Sequence, residues 1–148
     1  MLINLYEIDS CILEYSLSKL LEKLVINNRI VIQTKTEDYC YYLNNFLWTY
    51  SANSFLPHGV YSDRFCKKHP ICLTYKNENP NNANILILIH RDIILKNRKF
   101  DRIFDFCFSN NHNLIKKKLE DYKQWDCNLI YWTQDNSGLW NRINLSSK

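Results

Sequence analysis

Two kinds of apolar pattern alternate along the chain. Short continuous apolar runs are typical of strands buried on both faces, whereas apolar residues three or four positions apart indicate helices. The predicted strands are residues 2–8, 29–34, 70–75, 84–90, 102–108 and 128–134. The predicted helices are residues 11–27, 36–48 and 109–125, with Thr36 and either Ser109 or Asn111 as N-caps. Residues 48–69 are predicted as a loop, and the tail that ends at Lys148 is polar.

The order strand, helix, strand, helix at the start of the chain predicts parallel strands joined by right-handed crossovers. The expected fold is α/β, with one domain over residues 1–148 and a mostly parallel sheet flanked by helices. A nucleotide-binding version of this fold needs glycines directly after the first strand. The turn there is EIDSC, and Gly59 and Gly138 are the only glycines of the chain. A glycine-rich phosphate loop is therefore excluded.

Composition narrows the class of protein further. Hydrophobic residues make up 46% and charged residues 23% of the 148, as in globular proteins. No apolar run approaches the roughly 18 residues of a membrane span, and the N-terminus does not resemble a signal peptide. A cytoplasmic location is expected. The net charge of +4 favours acidic partners.

The six cysteines form no CxxC pair and are interpreted as small buried apolar residues of a reducing cytosol. Cys66, His69 and Cys72 are spaced C-x2-H-x2-C, and His58 or Cys40 would complete four ligands. This spacing matches no common zinc motif, so no metal site is predicted. A thiol or metal hydrolase that uses Cys66, His58 and His69 stays open as an alternative.

No catalytic group of carboxylates stands out. The acidic pairs lie among lysines and arginines and are interpreted as solvated ion pairs: Asp101 with Asp105, and Glu120 with Asp121. The basic cluster within the last predicted helix is more informative. Ile115, Leu119 and Tyr122 form an apolar stripe beside the lysines Lys116, Lys118 and Lys123. An aromatic ring flanked by ammonium groups suits a short acidic and hydrophobic peptide, although a charge run is more often a solvated face.

Three segments resemble the chi subunit of bacterial DNA polymerase III. LW and SFLPHG within residues 47–59 resemble its aliphatic-Trp and Ser-Phe-Val/Leu-Pro-His signature. YKQW at residues 122–125 resembles the pattern of its last long helix, and IYWTQDNSGLW at 130–140 resembles its closing Tyr-Trp-Gln-Gln and Trp. The order and separation of the segments agree with that family over most of the chain.

The resemblance implies a Rossmann-like α/β fold without a nucleotide site. It implies an accessory subunit of the clamp-loader assembly that needs no cofactor and catalyses nothing. One surface would bind the acidic C-terminal tail of single-stranded DNA-binding protein, so that contact with single-stranded DNA is indirect. A second surface would bind the psi subunit or an equivalent clamp-loader component.

The resemblance also implies residues for the two surfaces. The tail site would consist of Lys116, Lys118, Leu119, Tyr122 and Lys123, with Cys107 and Phe108 on its apolar side. An arginine of the family pattern falls on Leu119, so Lys116 or Lys118 would supply its charge. The psi site would consist of Trp48, Phe55, Leu56, Pro57 and His58. In the alternative interpretation, Trp48 caps the core and His58 satisfies backbone groups of the loop.

Direct binding of single-stranded nucleic acid is a rival function. Basic residues beside aromatic rings are typical of such proteins. The residues expected to bind are Lys67, Lys68, Lys96, Arg98 and Lys99.

Overall fold

The described strands of the chain form one sheet, and three helices cover it. The structure is a computed structural model that describes residues 1–50, 56–92 and 100–145. The strands are β1 Leu2–Ile8, β2 Ile30–Thr34, β3 His58–Val60, β4 Ile71–Thr74, β5 Ile85–Ile89, β6 Arg102–Phe108, β7 Asn128–Gln134 and β8 Trp140–Asn144. The helices are α1 Leu13–Leu24, α2 Glu37–Thr49 and α3 His112–Lys123, and Cys66–Lys68 form a single 3-10 turn.

The strand order in the sheet is β3-β4-β2-β5-β6-β1-β7-β8. Seven strands are parallel, and only β8 runs antiparallel, beside β7. β1 lies between β6 and β7, so that Leu2 is in register with both Arg102 and Asn128. The predicted fold class, α/β with a mostly parallel sheet, is confirmed.

The helices divide the core into two layers. α1 and α2 pack on one face of the sheet against apolar side chains of β2, β4, β5 and β6. α3 packs on the opposite face against side chains of β1, β6 and β7. β5 is buried along its whole length, as expected for a parallel strand covered on both sides. None of the helices in the described ranges is long and apolar enough to cross a membrane.

Helices α2 and α3 begin at N-caps that the sequence predicted. The Thr36 side chain accepts the Tyr39 backbone N–H at 3.2 Å at the start of α2. The Asn111 side chain accepts the Leu114 N–H at 3.2 Å at the start of α3, which decides between the two predicted caps. In α1 the buried leucines recur every three or four residues, so one stripe of the helix faces the sheet.

Two strands lie in segments for which the sequence predicted none. β3 interrupts the predicted loop, and Gly59 within it is required because a Cβ there would lie 2.8 Å from a carboxylate oxygen of Asp63. β8 lies in the polar tail and reaches β7 through a turn in which Gly138 has a φ of 86°. Four of the five β8 residues are exposed, which explains why no apolar pattern marked this strand.

Candidate protein-binding surfaces

The inner side of α3 holds a buried charged pair. Asp105 lies in the middle of β6, and its side chain is fully buried. The ammonium group of Lys118 donates to Asp105 Oδ1 at 2.6 Å, and the Tyr122 hydroxyl donates to Oδ2 at 2.6 Å. Each carboxylate oxygen thus has a donor from α3, and these contacts fix how the helix lies on the sheet.

The charge states of Lys118, Tyr122 and Cys107 follow from their surroundings. Burial alone would lower the pKa of Lys118, but the attraction of Asp105 outweighs it and the pKa is raised. Burial first, and the charge of Asp105 second, hold the pKa of Tyr122 well above 10.0. The same two causes raise the pKa of the Cys107 thiol to about 12. At neutral pH Lys118 therefore carries its charge, whereas the Tyr122 phenol and the Cys107 thiol are neutral.

Three residues predicted to line the tail pocket are buried, so they present almost no surface to a partner. The exposed fractions are 0% for Tyr122, 1% for Lys118 and 0% for Cys107. Ile115, Lys118 and Tyr122 lie at i, i+3 and i+7, so they share the helix side that meets the sheet. Because Asp105 beneath them is buried and paired, its interpretation as a solvated ion pair is wrong.

The outer side of α3 remains accessible to a partner. Lys116 and Lys123 are exposed, and seven residues of helix separate them by about 10.5 Å along the axis. Glu120 is also exposed and lies between them on the same side, at i+4 from Lys116. Two further predicted residues are partly buried: Leu119 and Phe108.

Trp48 is the exposed member of the predicted psi site. Its side chain is 48% exposed at the end of α2, and its ring lies 4.1 Å from the ring of His58. His58 is 1% exposed, with Nδ1 at 2.5 Å from the Leu56 carbonyl oxygen and Nε2 at 3.0 Å from that of Asn44. The imidazole thus links β3 to α2 and supports the Trp48 ring from below.

The other described members of the predicted psi site are less exposed than Trp48. Leu56 is 3% exposed and packs in the core beside α2, and Pro57 is partly buried. Leu56 and His58 therefore present almost no surface to a partner, and His58 contacts one backbone carbonyl group of the loop and one of α2. Phe55 lies outside the described residues.

A disulfide bond joins two cysteines of the candidate thiol and metal site. Cys66 and Cys72 are bonded to each other, so their interpretation as free buried cysteines is wrong and Cys66 offers no thiol nucleophile. Within residues 1–50, 56–92 and 100–145, no group of three or more His, Cys, Asp and Glu side chains could hold a metal ion. The chemistry expected of the alternative hydrolase therefore lacks its nucleophile.

The nucleic-acid surface predicted from lysines is described only in part. Lys67 and Lys68 are exposed, and Lys68 lies 5.7 Å from the ring of Phe65, itself 54% exposed. Lys96, Arg98 and Lys99 lie outside the described residues.

Comparison with known proteins agrees with the sequence resemblance. The family model described as "DNA polymerase III chi subunit, HolC" matches residues 3–129. A relative from Rickettsia prowazekii (strain Madrid E), named "Probable DNA polymerase III subunit chi", is 31% identical over 150 residues. The match covers 95% of this chain and 90% of that protein.

Proposed function

Since the chain belongs to the DNA polymerase III chi subunit family and is thus an accessory subunit of DNA replication, we propose that it acts as a non-catalytic adaptor. The outer side of α3 would bind the acidic C-terminal tail of single-stranded DNA-binding protein. The surface around Trp48 would bind psi or an equivalent clamp-loader component. The adaptor works in the cytoplasm, needs no cofactor, and reaches single-stranded DNA through the protein that coats it.

The observation that carries the tail proposal is the pair of exposed lysines, Lys116 and Lys123, on a helix whose orientation is fixed from below. The inner contacts of Lys118 and Tyr122 with Asp105 hold α3 in place. The two outer ammonium groups are then held about 10.5 Å apart along the axis, which lets them contact separate carboxylates of one extended peptide. The partly buried Leu119 between them supplies apolar surface for a hydrophobic side chain of the tail.

The tail proposal is tested by calorimetry with two forms of the single-stranded DNA-binding protein, one intact and one without its last few residues. We expect binding to the intact form alone, with an affinity that falls as salt is added, because exposed charges are screened over about 8 Å at physiological ionic strength. Equal binding of both forms would contradict the proposal.

The second surface is supported by the exposed ring of Trp48. Tryptophan is enriched among the residues that contribute most to protein association, and the contact with His58 holds this ring in place. A rigid ring loses little conformational freedom on binding. Charge plays a smaller part here than on α3, since the recognition element is an apolar ring.

Trp48→Ala is expected to weaken binding to the reconstituted clamp-loader complex of the same organism by tenfold or more, because truncating a central aromatic residue costs roughly 2 kcal/mol. Surface plasmon resonance measures the change. Tyr42→Ala is the matched control, since Tyr42 lies on the same helix and is 49% exposed. If both variants bind as tightly as the wild type, Trp48 does not contact the complex.

A further inference from the structure

A disulfide bond fixes the segment that connects β3 to β4. This segment, residues 61–69, contains the 3-10 turn and is here called the covering segment. Cys66 in the turn is bonded to Cys72 in β4. Ile71 and Leu73 of β4 pack in the core with α2, so Cys72 between them points to the opposite face of the sheet. The bond therefore ties the covering segment to the face that points away from α2.

The covering segment lies directly on β3. Gly59 is in register with Cys72, so the two residues lie on the same face of the sheet. The space that a Cβ would need at Gly59 is taken by two side chains of the segment, Asp63 and His69. The Val60 N–H also donates to Asp63 Oδ2 at 2.8 Å. The segment therefore supports β3 from one face, while α2 supports it from the other.

β3 carries the histidine that supports the ring of Trp48. The strand has three residues and lies at the edge of the sheet, where β4 is its only neighbour among the described strands. The His58 imidazole at its start lies 4.1 Å from the Trp48 ring. Gly59, the next residue, is the one on which the covering segment rests. How firmly the segment holds β3 therefore affects how firmly the Trp48 ring is held.

The covering segment buries little apolar surface apart from its disulfide. Cys66 is the only buried residue within it. The Arg29 guanidinium donates to the carbonyl oxygens of Lys67 and His69, so the end of the segment stays attached to the sheet. Segments with few buried apolar contacts open locally at a low cost in free energy. Loss of the bond is therefore expected to free the part of the segment that rests on β3 and to leave the sheet intact.

The surroundings of Cys66 suit thiol–disulfide exchange. Arg64, Lys67 and Lys68 are close to it in the sequence, and all three are exposed. Neighbouring positive charges stabilise the thiolate, which is the form of cysteine that takes part in exchange. Cys66 Sγ also lies 3.7 Å from the carbonyl oxygen of Gly59, which can accept its S–H once the bond is broken. The sulfur thus has a partner in both the bonded and the reduced state.

We propose that the Cys66–Cys72 bond forms and breaks reversibly in the cell and thereby regulates the surface around Trp48. This inference rests on the function proposed for that surface and on the cytoplasmic location, where disulfides are usually transient and redox-sensing. In the reduction, two thiols such as those of glutathione supply two electrons and two protons, the S–S bond becomes two thiols, and glutathione leaves as its own disulfide. The bonded form holds β3 and the Trp48 ring firmly and binds the clamp-loader component more tightly than the dithiol form.

The first test measures hydrogen exchange by mass spectrometry after the full chain is equilibrated with mixtures of reduced and oxidised glutathione. At the ratio typical of the cytosol, the pair is expected to be open, with a mass gain of two hydrogens, and it should close as the ratio falls. Opening is expected to speed amide exchange in residues 58–69 roughly tenfold or more, because a disulfide restricts the open states of the loop that it closes. Exchange in β5 should not change.

Two serine variants serve as controls in the exchange measurement. Cys66→Ser should exchange like the reduced wild type in every mixture, because it cannot form the bond. Cys11→Ser removes an exposed free cysteine outside the pair and should respond to glutathione like the wild type.

The second test compares the bonded and dithiol forms by surface plasmon resonance with the reconstituted clamp-loader complex. The bonded form is expected to bind about three- to tenfold more tightly, because a ring that is already held loses less freedom on binding. The proposal is overturned if the pair stays bonded at every glutathione ratio or if opening leaves exchange in residues 58–69 unchanged. It is also overturned if both forms bind equally while Trp48→Ala still weakens binding. If Trp48→Ala has no effect, the function proposed for this surface fails, and the exchange result alone decides whether the pair controls β3.

Discussion

Lys118→Ala is expected to lower the free energy of unfolding by about 3–5 kcal/mol, because it leaves the buried carboxylate of Asp105 without its cation. The ammonium group and the carboxylate are 1% and 0% exposed, so water cannot replace the lost partner. The Tyr122 hydroxyl still donates to Oδ2, but a neutral donor does not offset a buried charge. Urea unfolding followed by circular dichroism measures the loss.

Two control variants separate the charge from the size of the side chain. Lys117→Ala removes a lysine that is 64% exposed on the same helix and should change stability by less than about 0.5 kcal/mol. Replacing all three partners with apolar groups, as Asp105→Leu with Lys118→Met and Tyr122→Phe, should recover most of the lost stability. If Lys118→Ala unfolds at the same urea concentration as Lys117→Ala, the buried pair does not hold α3.

Lys116→Glu combined with Lys123→Glu is expected to raise the Kd for the acidic tail peptide at least tenfold and to leave the fold intact. Both positions are exposed, so reversing their charges costs little folding energy. Two attractions to carboxylates become repulsions, and this change exceeds what a single exposed ion pair contributes. Isothermal titration calorimetry with the peptide measures the effect.

Two further variants serve as controls: one adds negative charge away from α3, and the other adds positive charge on α3. Lys19→Glu with Lys23→Glu makes the same charge change on exposed positions of α1, across the sheet from α3, and should leave peptide binding unchanged. Glu120→Lys adds a cation between Lys116 and Lys123 and should tighten binding. The α3 site is refuted if the two double variants weaken binding equally.

The sequence predicted the parallel core because local pattern and burial agree there. The run ILILI of β5 is apolar throughout and is buried throughout. β8 could not be found in this way, since Arg142 and its neighbours face solvent and the strand exists through its pairing with β7. β3 has three residues, too few for any periodicity to appear.

The tail site was predicted less well because helical periodicity does not tell an inward aromatic residue from an outward one. Tyr122 was placed at the surface by its lysine neighbours, although its spacing from Ile115 equally fits the buried side of α3. The informative residue was Asp105, within the otherwise apolar centre of RIFDFCF. A carboxylate in a buried strand needs a cation from the layer above, and Lys118 is the lysine whose spacing from Ile115 and Tyr122 supplies it.

The sheet separates α3 from the Trp48 end of α2, and this separation has a consequence for how tightly the chain can be bound. A partner on one side does not obstruct the other, so both contacts can form at once. If both partners belong to one replication assembly, the second contact forms at a high effective concentration, and avidity multiplies two weak affinities. The overall affinity would then depend on the length of flexible chain between the two contacts as much as on either one.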